Sequence, residues 1–214
     1  MEQKEREQPH SYLENLFTTR VMSTSKHTLT EQAIQAEWEE VQKAQQNPAH
    51  FRVLYERYYE SIFRFVYKRI LEEALCADIT AQVFLKALQN LANYTYKGVP
   101  FSAWLFRIAS NEIAQHFRKT KKQRVVALED NNVQELEEEY EDKATLEVNI
   151  ELLKEVIQDL KPPEVMLLEL RFFEKRPFKE IADILDITEN NAKVKIYRLL
   201  QKMKKKFINK GRSD

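Results

Sequence analysis

The residues whose types and spacing best suggest a chemical task lie between Pro177 and Phe207. In chain order, the polar side chains that such a task requires are Thr188, Asn190, Asn191, Lys193, Lys195, Arg198 and Lys202. The first stands where a helix N-cap belongs. Amide and ammonium groups just beyond the cap suit hydrogen bonds to base edges in the DNA major groove, and the later cations suit phosphates.

Two short helices must position these groups, and their pattern is that of a helix-turn-helix. The first helix is predicted over 178–185, where the small Ala182 permits a close helix crossing. The second runs from Glu189 to about Ile208 and has its own apolar stripe, formed by Ala192, Ile196, Leu199 and Met203. The turn position that often holds glycine is Asp186, which must adopt a left-handed conformation at some cost. The alternative is an ordinary helical hairpin with a solvated lysine face.

A second group of chemically informative residues surrounds a predicted third helix at about 102–121. At 100° per residue, its polar face holds Arg107, Asn111, Gln115 and Arg118, and Trp104 falls near this face. The preceding loop contains Tyr94, Tyr96 and Phe101. Aromatic rings that stack on unpaired bases, beside cations that follow the backbone, are typical of single-strand binding. The alternative is that Trp104 and Phe101 only close a domain core.

The elements that carry both groups are predicted to be helical throughout. Leu, Glu, Lys, Gln and Ala are abundant, and only two glycines occur. Apolar residues at steps of three and four predict helices at about 51–70, 75–91, 102–121, 146–160 and 163–173. A short helix is expected from Thr30, with Ile34, Trp38 and Val41 on one face, and the breaks fall at Pro48 and at Pro162-Pro163.

The expected fold class is therefore all-α, with two helical domains joined by an acidic flexible linker. The predicted boundaries are a mostly mobile N-terminal extension at 1–48, a helical domain at 49–124, the linker at 125–143 and a second domain at 144–208. Charge is distributed unevenly along this layout. Nine basic and no acidic residues lie in 190–212, whereas eight acidic and no basic residues lie in 129–142.

Composition excludes several classes of function. Phosphate-cradling loops need glycine, and the single Cys76 excludes a disulfide or a multi-cysteine zinc site, so we expect a buried structural thiol. The four histidines are far apart, and no acid, base and nucleophile converge in the sequence. We expect no catalysis, no metal and no cofactor. No apolar run approaches a membrane span and the N-terminus lacks the build of a signal peptide, so the expected location is cytoplasmic.

Two long blocks of the chain together resemble a known family. The stretches PAHFRVLYERYYESIFRFVYKRI, ADITAQVFLKAL and FSAWLFRIASNEIAQHFRKTKK closely resemble region 2 of extracytoplasmic-function sigma factors, the small group of the sigma-70 family. The stretch LKPPEVMLLELRFFEKRPFKEIADILDITENNAKVKIYRLLQKMKK resembles their region 4. The resemblance covers about residues 49–206, in the order and spacing of the family.

The resemblance implies a subunit that recruits core RNA polymerase to promoter DNA. Region 2 implies polymerase contacts at Asp78, Thr80, Gln82, Val83 and Phe84. It also implies −10 contacts, to duplex and melted strand, along the loop 94–101 and at Arg107, Asn111, Arg118 and Lys119, which join the aromatic residues above. Region 4 implies −35 recognition through Asn190 to Arg198.

The resemblance also implies an anti-sigma protein, which in many members is anchored in a membrane. Residues around Tyr12, Leu13, Leu16 and Phe17 could dock such a partner or mask the chain itself, although a plain tail is the simpler interpretation. Relatives usually have Gln then Glu where this chain has Ala81 and Gln82, and many have Asp where it has Gln115. The competing function is a helix-turn-helix regulator that binds an effector and does not recruit polymerase.

Overall fold

The structure is a computed structural model that describes residues 29–120 and 143–210. Every regular element in these ranges is helical, which confirms the predicted all-α class. Residues 1–28 of the predicted extension, and nearly all of the predicted acidic linker, lie outside the described residues. The helices are α1 (Glu31–Gln46), α2 (Phe51–Ile70), α3 (Glu73–Asn90), α4 (Phe101–Thr120), α5 (Lys143–Gln158), α6 (Pro162–Leu168), α7 (Phe178–Leu185) and α8 (Glu189–Lys210).

The described residues fall into two compact units. The first contains α1 to α4 together with α7, and the second contains α5, α6 and nearly all of α8. Short 3-10 turns at Pro48–His50 and Leu91–Asn93 connect helices of the first unit, and a π-helical turn at Glu169–Phe173 extends α6.

Helix ends follow the local signals in the sequence. The Thr30 hydroxyl accepts a hydrogen bond from the Ala33 N–H at 3.2 Å, so α1 begins with the predicted cap. Pro162 occupies the first turn of α6, where its missing N–H is not needed. Asp186 ends α7 with φ 56° and ψ 48°, which confirms the left-handed conformation expected in place of glycine.

The core of the first unit lies between α2, α3 and α4, which pack against one another. Its fully buried apolar side chains include Leu54, Ile62, Phe65, Val66, Val83, Ala87, Leu105, Phe106 and Ala109. The Phe65 and Phe106 rings meet edge to face at 4.7 Å between centroids. On α4, Leu105, Ala109 and Ile113 are buried, and Ile108 is half-buried.

A buried carboxylate ties α1 to α2 and α4. Glu37 is 4% exposed and accepts hydrogen bonds from the Phe101 N–H at 2.7 Å and from the Tyr58 hydroxyl. Because Phe101 opens α4, the Glu37 carboxylate caps that helix and complements its dipole. Burial, and then the nearby Glu37 charge, raise the pKa of the Tyr58 hydroxyl above its usual value.

Ion pairs join α8 to α5 and to the residue that follows α5 within the second unit. Lys206 binds Asp159 at 3.0 Å and Lys210 binds Glu155 at 2.9 Å. Ala192, Ile196, Leu199 and Met203 of α8 are all buried, which confirms the predicted apolar stripe. The π-helical turn places the charged residues Glu169 and Arg171 in buried positions.

The described residues also bear on the expected buried thiol and on the expectation about membrane spans. Cys76 is buried, and this burial raises the pKa of its thiol, as a structural cysteine requires. No helix within 29–120 or 143–210 is long and apolar enough to cross a membrane.

Candidate DNA- and polymerase-binding surfaces

The first turns of α8 present the predicted base-reading groups to solvent. Thr188, Asn190, Asn191, Lys193, Lys195 and Arg198 are all exposed. Their exposure follows from the buried stripe, because residues on the opposite side of the same helix must face outward. The arrangement therefore offers amide and ammonium donors at a helix N-terminus, which is the chemistry expected of a major-groove helix.

Lys202 occupies a different environment from the other predicted contacts of α8. Its ammonium group lies 2.7 Å from both carboxylate oxygens of Glu164 and is half-buried. Although burial opposes the change, the hydrogen bond from Lys202 lowers the pKa of Glu164 below its usual range. A phosphate contact by Lys202 would first have to break this pair, so its predicted DNA contact stays a prediction.

Four of the eight predicted −10 residues lie together on the first unit, whereas Tyr96, Phe101, Arg118 and Lys119 do not line the same pocket. Tyr94, Trp104, Arg107 and Asn111 line a concave pocket of about 450 Å³ at α4 and the preceding loop. Lys97 of the predicted loop also lines the pocket, together with Lys86, Asn90 and Asn93, which the sequence did not single out. Lys86 and Asn90 are four residues apart on α3, so their shared face was visible in the sequence. The pocket combines an aromatic wall with cations and amides.

The aromatic residues of this region divide into buried and accessible rings. Phe101 is 2% and Tyr94 8% exposed, and their rings pack edge to face at 5.2 Å. Phe101 therefore closes the core, as the alternative interpretation held, and Tyr94 does the same. Trp104 is half-buried against both rings, whereas Tyr96 is 38% exposed and stacks on Trp38 at 5.6 Å. Stacking on an unpaired base is thus open to Tyr96 and Trp104 only.

The cations of this surface differ in their surroundings. Arg118 and Lys119 are exposed at the end of α4, and Asn111 is exposed at its middle. Arg107 is 27% exposed and pairs with Asp186 at 3.0 Å. Lys97 of the loop pairs with Asp183 at 2.9 Å. Both acidic partners belong to the α7 segment, which packs against α4 within the first unit.

The predicted polymerase contacts on α3 lie on two sides of that helix. Asp78 and Gln82 are exposed, but Thr80, Val83 and Phe84 are buried and cannot touch a partner directly. Beside them, Leu85 is 47% and Leu88 38% exposed. Neither leucine was predicted to be a polymerase contact. Leu85 follows Gln82 by three residues and Leu88 follows Leu85 by three, and this helical spacing could have indicated both.

An aromatic row on α2 continues this partly apolar surface. Tyr55, Tyr59, Phe63 and Tyr67 recur every four residues, and each ring contacts the next at 5.3 to 6.2 Å. Tyr55 also meets Phe84 of α3 edge to face at 4.8 Å. Tyr55 and Tyr67 are 40% and 43% exposed, so the row forms part of the solvent-facing surface. A partly exposed row of aromatic rings with polar residues around it is typical of a protein-binding surface.

Comparison with known proteins agrees with this division of the chain. The family model for sigma-70 region 2 matches residues 54–123, and the model for sigma-70 region 4 matches residues 150–203. The ECF RNA polymerase sigma factor BldN of Streptomyces coelicolor is 30% identical over 163 residues, which are 75% of this chain and 62% of that protein. The aligned stretch thus spans less than two thirds of BldN.

Further relatives agree in sequence and in fold. The ECF RNA polymerase sigma factor SigM of Bacillus subtilis is 26% identical over 75% of this chain and 96% of its own length. The solved structure of CnrH, in complex with the cytosolic domain of CnrY, aligns with a TM-score of 0.52 and 19% identity, covering 78% of this chain and 94% of that one. With both regions matched in order over more than half of the chain, the chain belongs to the sigma-70 family, and both curated relatives named here are ECF sigma factors.

Proposed function

We propose that the chain is a promoter-recognition subunit that binds core RNA polymerase, brings it to two promoter boxes and assists melting of the downstream box. One observation carries the proposal. Region 2 and region 4 are both matched, in family order, and each includes an exposed surface with the donors that its DNA target requires. A regulator without polymerase would need region 4 alone.

In this proposal the upstream −35 box is read by the first turns of α8. Asn190, Asn191, Lys193 and Lys195 are the candidates for base edges, and Arg198 for a phosphate or a guanine. Their exposure to solvent supports the assignment. Thr188 precedes α8 and is proposed to cap it.

The downstream −10 box is proposed to bind at the pocket of the first unit. Trp104 and Tyr96 would stack on unpaired bases, while Arg107, Asn111, Arg118 and Lys119 would hold the strand. Gln115 is half-buried on α4 and stands where many relatives have Asp. With Gln in place of Asp, this surface would carry one negative charge fewer. Less repulsion of phosphates is the expected consequence.

Core polymerase is proposed to bind the exposed side of α3. Asp78 and Gln82 would supply its polar contacts and Leu85 its apolar one, whereas Thr80, Val83 and Phe84 hold the helix in place. Ala81 is exposed next to Gln82 and is too small to reach far, so the docking surface depends more on Leu85 than the family pattern implies. Asp78→Ala should weaken polymerase binding, and Glu73→Ala, on the same helix, serves as the matched control.

An inhibitory protein partner is also proposed. CnrH was solved in complex with the cytosolic domain of CnrY, so a chain of this fold can be held by a partner protein. An anti-sigma protein, membrane-anchored as in many relatives, would be expected to cover the DNA-binding and polymerase-binding surfaces. No catalytic step, metal or cofactor enters the proposed function, and the expected location is the cytoplasm.

Reconstituted transcription tests the proposal. The purified chain plus core polymerase should produce transcripts from a subset of genomic fragments, and neither component should do so alone. Mapping the 5′ ends of these transcripts gives the two boxes directly. If every fragment fails without an inhibitor present, and the chain purifies from cells without polymerase subunits, the regulator hypothesis replaces this one.

A further inference from the structure

The outward face of α8 carries two apolar side chains among its candidate DNA-binding groups. Val194 is 36% exposed and Tyr197 is 51% exposed. Successive residues of an α-helix are about 100° apart, so Val194 lies about 200° from the buried Ala192. Val194 therefore stands near the centre of the face that points away from the core of the second unit.

Exposed polar groups surround Val194 on this face. Asn190 lies four residues before it and Arg198 four residues after it, so each is one helical turn away. Lys193 and Lys195 are its neighbours in the chain, and all four of these residues are exposed. Amides and cations of this kind complement the negative potential of a DNA groove. The face thus has the charge of a DNA-binding surface and an apolar group at its centre.

Val194 contributes little to the fold at this position. A β-branched side chain loses rotamer freedom in a helix, and valine is a poorer helix former than alanine or lysine. Its side chain also remains open to solvent, where apolar surface gains nothing from burial. The side chain can therefore contribute more to binding than to folding.

The DNA major groove offers one apolar group that distinguishes base pairs, the C5 methyl of thymine. The other base edges there are hydrogen-bond donors and acceptors, which a valine side chain cannot pair. Placed over such an edge, Val194 would remove water from a polar group without replacing its hydrogen bond. A reading face with valine at its centre therefore favours a base pair that contains thymine.

We propose that Val194 is a specificity-determining residue, which contacts the C5 methyl of a thymine in the −35 box. Tyr197, three residues further along the same face, extends the apolar surface, while the amides and cations of α8 supply the hydrogen bonds. The inference rests on the proposed −35 role of α8 and deepens it by naming the chemical group that one side chain reads.

Removal of single methyl groups from the DNA tests the contact. Each thymidine of the mapped −35 box, on either strand, is replaced in turn by deoxyuridine, which lacks the methyl and keeps every hydrogen-bonding group. Binding of the promoter fragment by the full chain, with core polymerase in excess, is measured by gel-shift titration. At one thymine, this replacement should weaken binding by the wild-type chain roughly 3- to 10-fold.

Val194→Ala in the same titration identifies the side chain that reads the methyl. The variant should bind the unmodified fragment roughly 3- to 10-fold more weakly, and uracil at the sensitive position should cause little further loss. Val53→Ala removes a valine that is 49% exposed on α2, in the other unit, and serves as the matched control. It should retain both the wild-type affinity and the wild-type sensitivity to uracil.

Four results would overturn the inference. They are a mapped −35 box without thymine on either strand, a wild-type affinity that uracil changes at no position, the same sensitivity to uracil in Val194→Ala as in wild type, and a loss in Val194→Ala of co-purification with core polymerase instead of DNA affinity. The last result would show that this face binds protein.

Arg198→Ala separates failure of this contact from failure of the proposed function. If Arg198→Ala weakens promoter binding and uracil does not, α8 reads the −35 box without the valine contact. If neither change has an effect, the proposed −35 role of α8 fails and the inference fails with it.

Discussion

Removal of the Glu37 carboxylate should destabilise the first unit more than any other single change on α1. Glu37→Ala leaves the Phe101 N–H and the Tyr58 hydroxyl without their acceptor in a buried site. Hydrogen bonds to a charged group contribute about 1.5–3 kcal/mol each, and a carboxylate at a helix N-terminus adds about 0.3–1 kcal/mol. Two such hydrogen bonds and the helix-end contribution together should lower the free energy of unfolding by about 3–7 kcal/mol. For a domain of this size, that corresponds to about 15 °C or more in Tm.

The measurement is urea unfolding of the full chain, followed by hydrogen exchange of peptides from α2 and α4. These peptides report the first unit separately from the second. Glu37→Gln keeps one acceptor and should lose about half as much stability. Glu39→Ala changes an exposed side chain of the same helix and should stay within about 0.5 kcal/mol of wild type. A loss below about 1 kcal/mol for Glu37→Ala would refute the assignment of this carboxylate as the tie between three helices.

Three further variants test the environments of Tyr58, Lys202 and Arg198. The folded pKa of Tyr58 lies above the unfolded value of about 10, so its contribution to stability is complete below about pH 10 and is lost as pH rises further. In urea unfolding, the stability of Tyr58→Phe should therefore fall less steeply with pH than that of wild type. The difference in slope is up to about 1.4 kcal/mol per pH unit. The lowered pKa of Glu164 stabilises the second unit above about pH 4.5, and this contribution is lost as pH falls through the folded pKa. In Lys202→Met, the loss of hydrogen-exchange protection in α8 peptides between about pH 5 and 3 should therefore be less steep than in wild type. An unaltered pH profile would contradict the ion pair. Arg198→Ala should weaken binding of the mapped −35 box by roughly 5- to 150-fold in a gel-shift titration, whereas association with core polymerase, measured by co-purification, should not change.

Local features of the fold were predictable because each depends on neighbouring residues. The Thr30 cap, the left-handed Asp186 and the buried stripe of α8 are set by residues within one or two turns. The bounds of α2 agree with the apolar spacing, and α3 begins only two residues before its predicted start. Spacing along a helix identifies its buried side without knowledge of the partner.

Features that depend on distant partners were missed. An aromatic residue in a loop suits both a core and a binding surface, so the pattern alone could not show that Tyr94 is buried. Lys202 looked like its neighbours on α8 because its partner, Glu164, is 38 residues away. The contact between Lys97 and Asp183 joins residues 86 apart, and no periodic signal links the two segments.

The two tryptophans of the chain, Trp38 and Trp104, both lie against the loop that precedes α4. Trp38 stacks on Tyr96 and also contacts Tyr94, on which Trp104 packs, so both indoles contact the same loop. The tryptophan emission of the full-length chain, excited at wavelengths that tyrosine does not absorb, therefore comes from one place, and a change in its intensity or wavelength on mixing with a DNA strand reports that loop. Rapid-mixing experiments can thus time the rearrangement of the loop without any attached dye.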